Sequence, residues 1–200
     1  MALASLGLLV IGSIPTVIGV AEAIDGQKKQ NQQAKDRIKF NITTLLSADG
    51  ESPPQQATVV FKEGKLWLDH PAHPVSGYKF NGFYFGYPGE NPIQGMVSMA
   101  CDNPPALHWI FVDKDTGALR HGSRSDSAGH IVGPWNWTED EQFVALEGTP
   151  AFLAVENEDG AWQVHFDKTG ERDFGNRVVE DIMLHRELQL GVASSYVGGK

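Results

Sequence analysis

The chain has 200 residues, with 41% hydrophobic and 10% aromatic content and a formal charge of −9, which fits a globular protein and excludes a disordered one. The charge is uneven: residues 1–39 carry five basic and three acidic groups for +2, and the remaining 161 carry 11 basic and 22 acidic groups for −11. An acidic body repels phosphate backbones, so nucleic-acid binding through it is not expected. One cysteine, Cys101, excludes an intrachain disulfide and favours a reducing compartment.

Residues 1–24 begin with an apolar run, Ala2 to Ala21, that contains no charged side chain and is about the ~20 residues a membrane helix needs. Three readings stay open. As a signal peptide it offers Ala21-Glu22-Ala23, an A-x-A cleavage pattern, but lacks a basic n-region. As a membrane anchor its length fits, and the downstream lysines would hold the following chain in the cytoplasm. As a core helix, apolar on all sides, it needs cover from a sheet face or a second copy. Residues 25–50 follow as a polar helix or linker.

The body, residues 51–200, reads as one β-rich domain of about seven to nine short strands paired around turn residues. Residues 57–61 and 65–68 flank Lys62-Glu-Gly64. Residues 107–112 and 118–122 flank Asp113-Lys-Asp-Thr-Gly117, and residues 152–156 and 162–166 flank Asn157-Glu-Asp-Gly160. Glycine after acidic residues supplies the positive φ that tight turns require. Residues 142–147 make one more strand, and residues 177–190 have the spacing of a C-terminal helix or mixed segment. The expected fold is mainly β: an antiparallel sandwich or barrel of hairpins with an N-terminal apolar helix and a C-terminal helix.

Few residue groups carry chemistry. Asp69, His70 and His73 bring a carboxylate and two imidazoles into a loop stiffened by Pro71 and Pro74, a candidate transition-metal site set against an ordinary turn. Tyr78 to Tyr87 holds six aromatics in ten residues; both faces are apolar, as in a central strand or the wall of a pocket lined by Tyr78, Phe80 and Tyr84. His108 and His121 are the acid/base candidates for such a pocket. Trp135 and Trp137, two apart, share a side if extended, as a core cap or a binding platform.

Asp113-Lys-Asp115 resembles the start of a calcium loop, but glycine falls at its position 5 and Arg124 at position 12, so a hairpin turn is expected. The loop His121 to His130 contains Ser, His and Asp residues without any GxSxG elbow, and is read as a polar surface loop. Cys101 has no neighbouring base and is read as a structural thiol. Asn41-Ile-Thr43 and Asn136-Trp-Thr138 are glycosylation sequons.

Residues 107–167 resemble a family of small filamentous-fungal proteins with no assigned function. The segments that carry the resemblance are LHWIFVDKDTGALRHGSR, HIVGPWNW and FVALEGTPAFLAVENEDGAWQVHFD. The resemblance implies no activity, cofactor or catalytic residue.

The expected function is a non-enzymatic binding or interaction module targeted through its N-terminal helix, with no cofactor. The alternatives are a small-ligand barrel or cofactor-free isomerase or cyclase, and a secreted effector or carbohydrate binder. Residues 1–24 would meet a membrane or protein partner, or a second copy of the chain. The expected location is intracellular, at a membrane, with secretion as the alternative.

Overall fold

The computed structural model describes residues 16–48, 50, 53–90 and 92–193. Two compact units divide at Lys35 and Asp36. The first holds the helix α1 (Thr16–Asp36) as far as Lys35, and residues 26–35 are exposed. Most of the apolar run lies outside the described residues. Among those described, no helix is long and apolar enough to cross a membrane.

The second unit is mainly β, as expected. Its strands are β1 (Ile38–Leu46), β2 (Gln55–Lys62), β3 (Lys65–Asp69), β4 (Tyr78–Lys79), β5 (Gly82–Tyr87), β6 (Ile93–Asp102) and β7 (Pro105–Val112). They continue with β8 (Leu119–Gly122), β9 (Trp135–Trp137), β10 (Val144–Leu146), β11 (Phe152–Glu156), β12 (Trp162–Phe166), β13 (Val179–Ile182) and β14 (His185–Ala193). One helical turn, α2 (Arg124–Ser127), separates β8 from β9.

Three expectations are corrected. Residues 25–50 are helix only to Asp36, and residues 38–46 within them form β1 of the body. The expected C-terminal helix over 177–190 is instead β13 and β14: Ile182, Leu184 and Arg186 are buried in alternation, the period of a strand. The aromatic stretch 78–87 is broken at Phe80 and Asn81 into β4 and β5.

Six strands close into a barrel. β1 pairs with β5 at Phe40 and Gly82, β5 with β6 from Gly82–Ser98 to Tyr87–Ile93, and β9 with β10 from Trp137–Val144 to Leu146–Trp135. β9 packs beside β6. Val144 N–H donates to Leu184 O at 2.8 Å and Arg186 N–H to Gln142 O at 2.7 Å, which joins β10 to the start of β14. β14 then pairs with β1, from Thr43–His185 to Ile38–Ala193, and the ring is complete. Among the described residues β6 and β9 pack together without a backbone ladder, while the other neighbours in the ring are hydrogen-bonded.

Three hairpins, β2–β3, β7–β8 and β11–β12, cap one end of the barrel, and their register is cyclic. Lys65 pairs with Arg120, Ala118 bridges His165, and Gln163 pairs with Trp67. In each contact the first named residue position of one hairpin meets the position two further along in the next. The three hairpins are therefore related by a pseudo-threefold axis, with 65, 118 and 163 equivalent and 67, 120 and 165 equivalent. The residues between them, Leu66, Leu119 and Val164, alternate inward and are fully buried. One step further on are Leu68, His121 and Phe166, opposite the buried Val59, Ile110 and Phe152. A histidine thus occupies a site where its two equivalents are apolar.

The core between barrel and cap contains Phe40, Phe80, Tyr84, Trp135, Phe152 and Trp162, all buried. Trp135 lies parallel to Phe152, with centroids 6.2 Å apart. Large aromatic surfaces of this kind supply much of the burial that opposes chain entropy.

The candidate site on the hairpin cap

All three hairpins and the loop after β12 line a cavity of about 550 Å³ on the outer face of the cap. Its floor comes from the outward-facing positions of the hairpins: Lys65, Ala118, Arg120, Gln163 and His165. Its wall comes from Arg172, Phe174 and Arg177 of the loop. At the three equivalent floor positions stand Lys65, Ala118 and Gln163, and the single small side chain falls at 118. The volume lies within the range of small-molecule sites, ~300–1,000 Å³.

Local hydrogen bonds hold this lining in place. Asp113 Oδ1 accepts the amides of Asp115 and Thr116, both at 3.1 Å, and Arg120 Nη1 donates to Asp113 Oδ2 at 3.3 Å. Burial pushes the Asp113 carboxyl up, but the Thr116 and Asp115 amides and the Arg120 guanidinium outweigh it and hold it below the usual range. This is the turn chemistry expected of the residues 113–117 segment. Gly117, at φ +72°, brings the turn against Arg172: a Cβ there would sit 2.5 Å from Arg172 Nε. Arg172 Nη1 donates to Asp115 O at 2.6 Å, and its backbone N–H donates to Asp167. Arg177 Nε donates to Phe174 O at 3.0 Å, and its guanidinium lies 5.5 Å from the Phe174 ring centroid.

Two deeply buried polar side chains of the floor each keep one nitrogen without a partner. Gln163 is 7% exposed and His165 3% exposed; neither Gln163 Nε2 nor His165 Nε2 has a hydrogen bond. His165 Nδ1 lies 3.2 Å from Thr116 O, so it carries the proton and leaves Nε2 as an acceptor. Burial lowers its pKa to about 4, against the Thr116 carbonyl and helped by Arg177 and Arg172, so the ring is neutral near pH 7. Arg120 Nε and Arg172 Nε are also buried without partners. Buried donors and acceptors without partners are costly, and these four belong to residues that line one cavity.

Of the residues singled out from sequence, Asp113 and Asp115 line the cavity and the others lie elsewhere. His70 Nδ1 accepts the Ala72 amide and Asp69 Oδ1 the Val75 amide, both at 3.1 Å, so both groups brace the turn. The His70 and His73 rings are 6.5 Å apart, and no cluster of three or more potential metal ligands exists among the described residues. Phe80 and Tyr84 are core residues, and Tyr84 OH donates to Asn136 O at 2.9 Å. Tyr78 OH donates to Asp102 Oδ1 at 2.6 Å; that bond, with burial, raises its pKa to about 12.

Trp135 and Trp137 do share a side of an extended strand. Trp135 is fully buried, and the ring centroid of the half-buried Trp137 lies 4.4 Å from the Arg186 guanidinium. Arg186 is itself 6% exposed and also faces Phe40 and Tyr84 at 5.0 and 5.3 Å. The structure does bring His108 and His121 together, with their Nδ1 atoms 2.9 Å apart. Burial, then His108 and Arg120, lowers the His121 pKa to about 4. The polar loop after His121 closes on itself: Ser123 Oγ donates to Asp126 Oδ2 at 2.7 Å in a capping box on α2. Cys101 lies beside Pro104 O at 2.9 Å.

The cap residues Arg172, Phe174 and Arg177 are absent from the sequence-level candidates, because no local motif marks them. The hairpin register that brings residues 65, 118–120 and 163–165 to one face is the signal that finds the site.

No curated protein and no solved structure matches this chain. The family model described as fungal beta-trefoil domain matches residues 19–189, in agreement with the barrel, the three-hairpin cap and the pseudo-threefold register. The chain belongs to the fungal β-trefoil domain family.

Proposed function

We propose that the protein is a non-enzymatic binding module whose ligand site is the cavity on the hairpin cap. β-Trefoil domains are often carbohydrate-binding or interaction modules, and this reading is compatible with that role. The observation that carries it is a cavity of about 550 Å³ lined by the buried side chains Gln163 and His165, each of which keeps one nitrogen without a hydrogen bond.

Ala118 supplies the test. Its equivalents are a lysine and a glutamine on the same backbone, so Ala118→Gln should be accommodated while filling the cavity. A panel of mono- and disaccharides is titrated into the full chain and followed by amide NMR shifts. Shifts centred on Ala118, His165 and Phe174, lost in Ala118→Gln with an unchanged circular dichroism spectrum, are expected. Shifts confined to other surfaces, or unaffected by the substitution, overturn the proposal.

A further inference from the structure

The chemistry of the cavity lining also selects a ligand class, a step that rests on the cavity being the binding site. Four cationic side chains reach it, Lys65, Arg120, Arg172 and Arg177, with three carboxylates, Asp113, Asp115 and Asp173. Arg120 and Asp113 are paired at 3.3 Å and cancel. Among the described residues, Lys65, Arg172 and Arg177 have no carboxylate within ion-pair distance.

Their hydrogen bonds are incomplete as well. Arg172 spends Nη1 on a backbone carbonyl, leaving Nη2 and a buried, unpartnered Nε. Arg177 spends Nε on the Phe174 carbonyl, leaving both Nη groups. Lys65 Nζ lies 5.9 Å from the Trp67 ring centroid. Asp173 Oδ1 is engaged by the Gly175 amide at 2.7 Å. The result is a cavity of positive balance set in a body whose formal charge is −11. Guanidinium forks with open N–H edges match planar or tetrahedral oxyanions.

We infer that the cap cavity takes a small hydroxylated ligand bearing an oxyanion, of the acidic-saccharide class. The anion sits against Arg172, Arg177 and Lys65, and ring hydroxyls face Gln163 and His165. The shared chemistry is the anionic oxygen group; a carboxylate and a sulfate ester are its two sources.

The experiment titrates the full chain with galactose, galacturonate and N-acetylglucosamine 6-sulfate by calorimetry, with amide NMR to locate binding. The same titrations use Arg172→Gln/Arg177→Gln, Lys65→Gln and Ala118→Gln, each checked for folding by circular dichroism. The galacturonate or the sulfated sugar should bind at least ~10-fold tighter than galactose, as charge-assisted contacts require. That margin should vanish in the double arginine variant, and all binding should vanish in Ala118→Gln. Whichever anionic sugar binds tighter identifies the source. The exposed Lys65→Gln keeps the test valid if the double variant unfolds: it should narrow the margin several-fold.

Equal affinity for galactose and galacturonate at the cavity overturns this inference and leaves the binding-module reading standing. Binding unaffected by Ala118→Gln, or no binding of any probe, overturns both.

Discussion

His121 offers a test of the pseudo-threefold argument. Its equivalents are Leu68 and Phe166, both buried, and it stacks on Phe61 with ring centroids 4.3 Å apart. His121→Leu should therefore fit the site as the other two hairpins do. It removes a buried, unpartnered Nε2, a group whose desolvation costs ~1–3 kcal/mol, and loses one hydrogen bond worth ~1 kcal/mol, which water can replace at the half-buried His108. A gain of about 1 kcal/mol at pH 7 follows.

The pH dependence is the sharper readout. The folded-state pKa of about 4 lies below the unfolded value of 6.5, so the unfolded chain binds the extra proton. Stability is full above pH 6.5 and falls as the pH drops through the window from 6.5 to 4. Linkage gives a loss of ~2 kcal/mol at pH 5, reduced to about 1 kcal/mol because the ring is only partly buried and solvent screens it. His165, also lowered to about 4, contributes a similar slope. Urea denaturation at pH 7 and pH 5 should show the wild-type loss roughly halved in His121→Leu. Parallel losses in the two proteins would refute the assignment of His121 as a buried neutral imidazole.

Other perturbations have defined outcomes. Glu63 and Gly64, at φ +54° and +74°, form the two-residue turn between β2 and β3; Glu63→Asn should stabilise by about 1 kcal/mol, and an unchanged urea midpoint would contradict this. Trp135→Ala should cost ~3–5 kcal/mol, because the ring is fully buried against Phe152; a loss under ~1 kcal/mol would show that the core does not depend on it. Gly117→Ala should cost about 1–2 kcal/mol through its positive φ and should also displace Arg172, weakening anionic-ligand binding. Arg186→Lys keeps the charge but gives up the flat guanidinium against Trp137; a drop of about 1–2 kcal/mol in unfolding free energy is expected, and no change would remove the stacking from the account.

Much of the fold is legible because it is local. The sequences around Gly64, Gly117 and Gly160 carry their own turn chemistry, and all three hairpins form where those turns place them. The shared side of Trp135 and Trp137 follows from strand geometry alone. β14 was hidden by inverted polarity: Arg186 is buried where an apolar residue is expected, while Met183 and Leu188 are exposed, at 42% and 41%. With the arginine counted as polar, the alternation Ile182, Leu184, Arg186 is lost and a helical spacing takes its place. The threefold repeat is invisible in residue identity because Lys65, Ala118 and Gln163 share a backbone position and no chemistry. The site inherits that invisibility, since its floor comes from three hairpins more than 40 residues apart that meet only through their register.

The pairing of β1 with β14 governs the order of events as the chain is made. Ile38 leaves the ribosome more than 150 residues before its partner Ala193, so β1 waits longest of all strands for a neighbour on that side. Until then it exposes a row of unpaired amides and carbonyls and the 66%-exposed Leu45 beside them, a template for pairing with other chains. Contacts this distant in sequence slow folding. Arrest of synthesis before residue 185 should leave nascent chains that need a chaperone, whereas emergence of residues 185–193 allows the last strand to seal the ring.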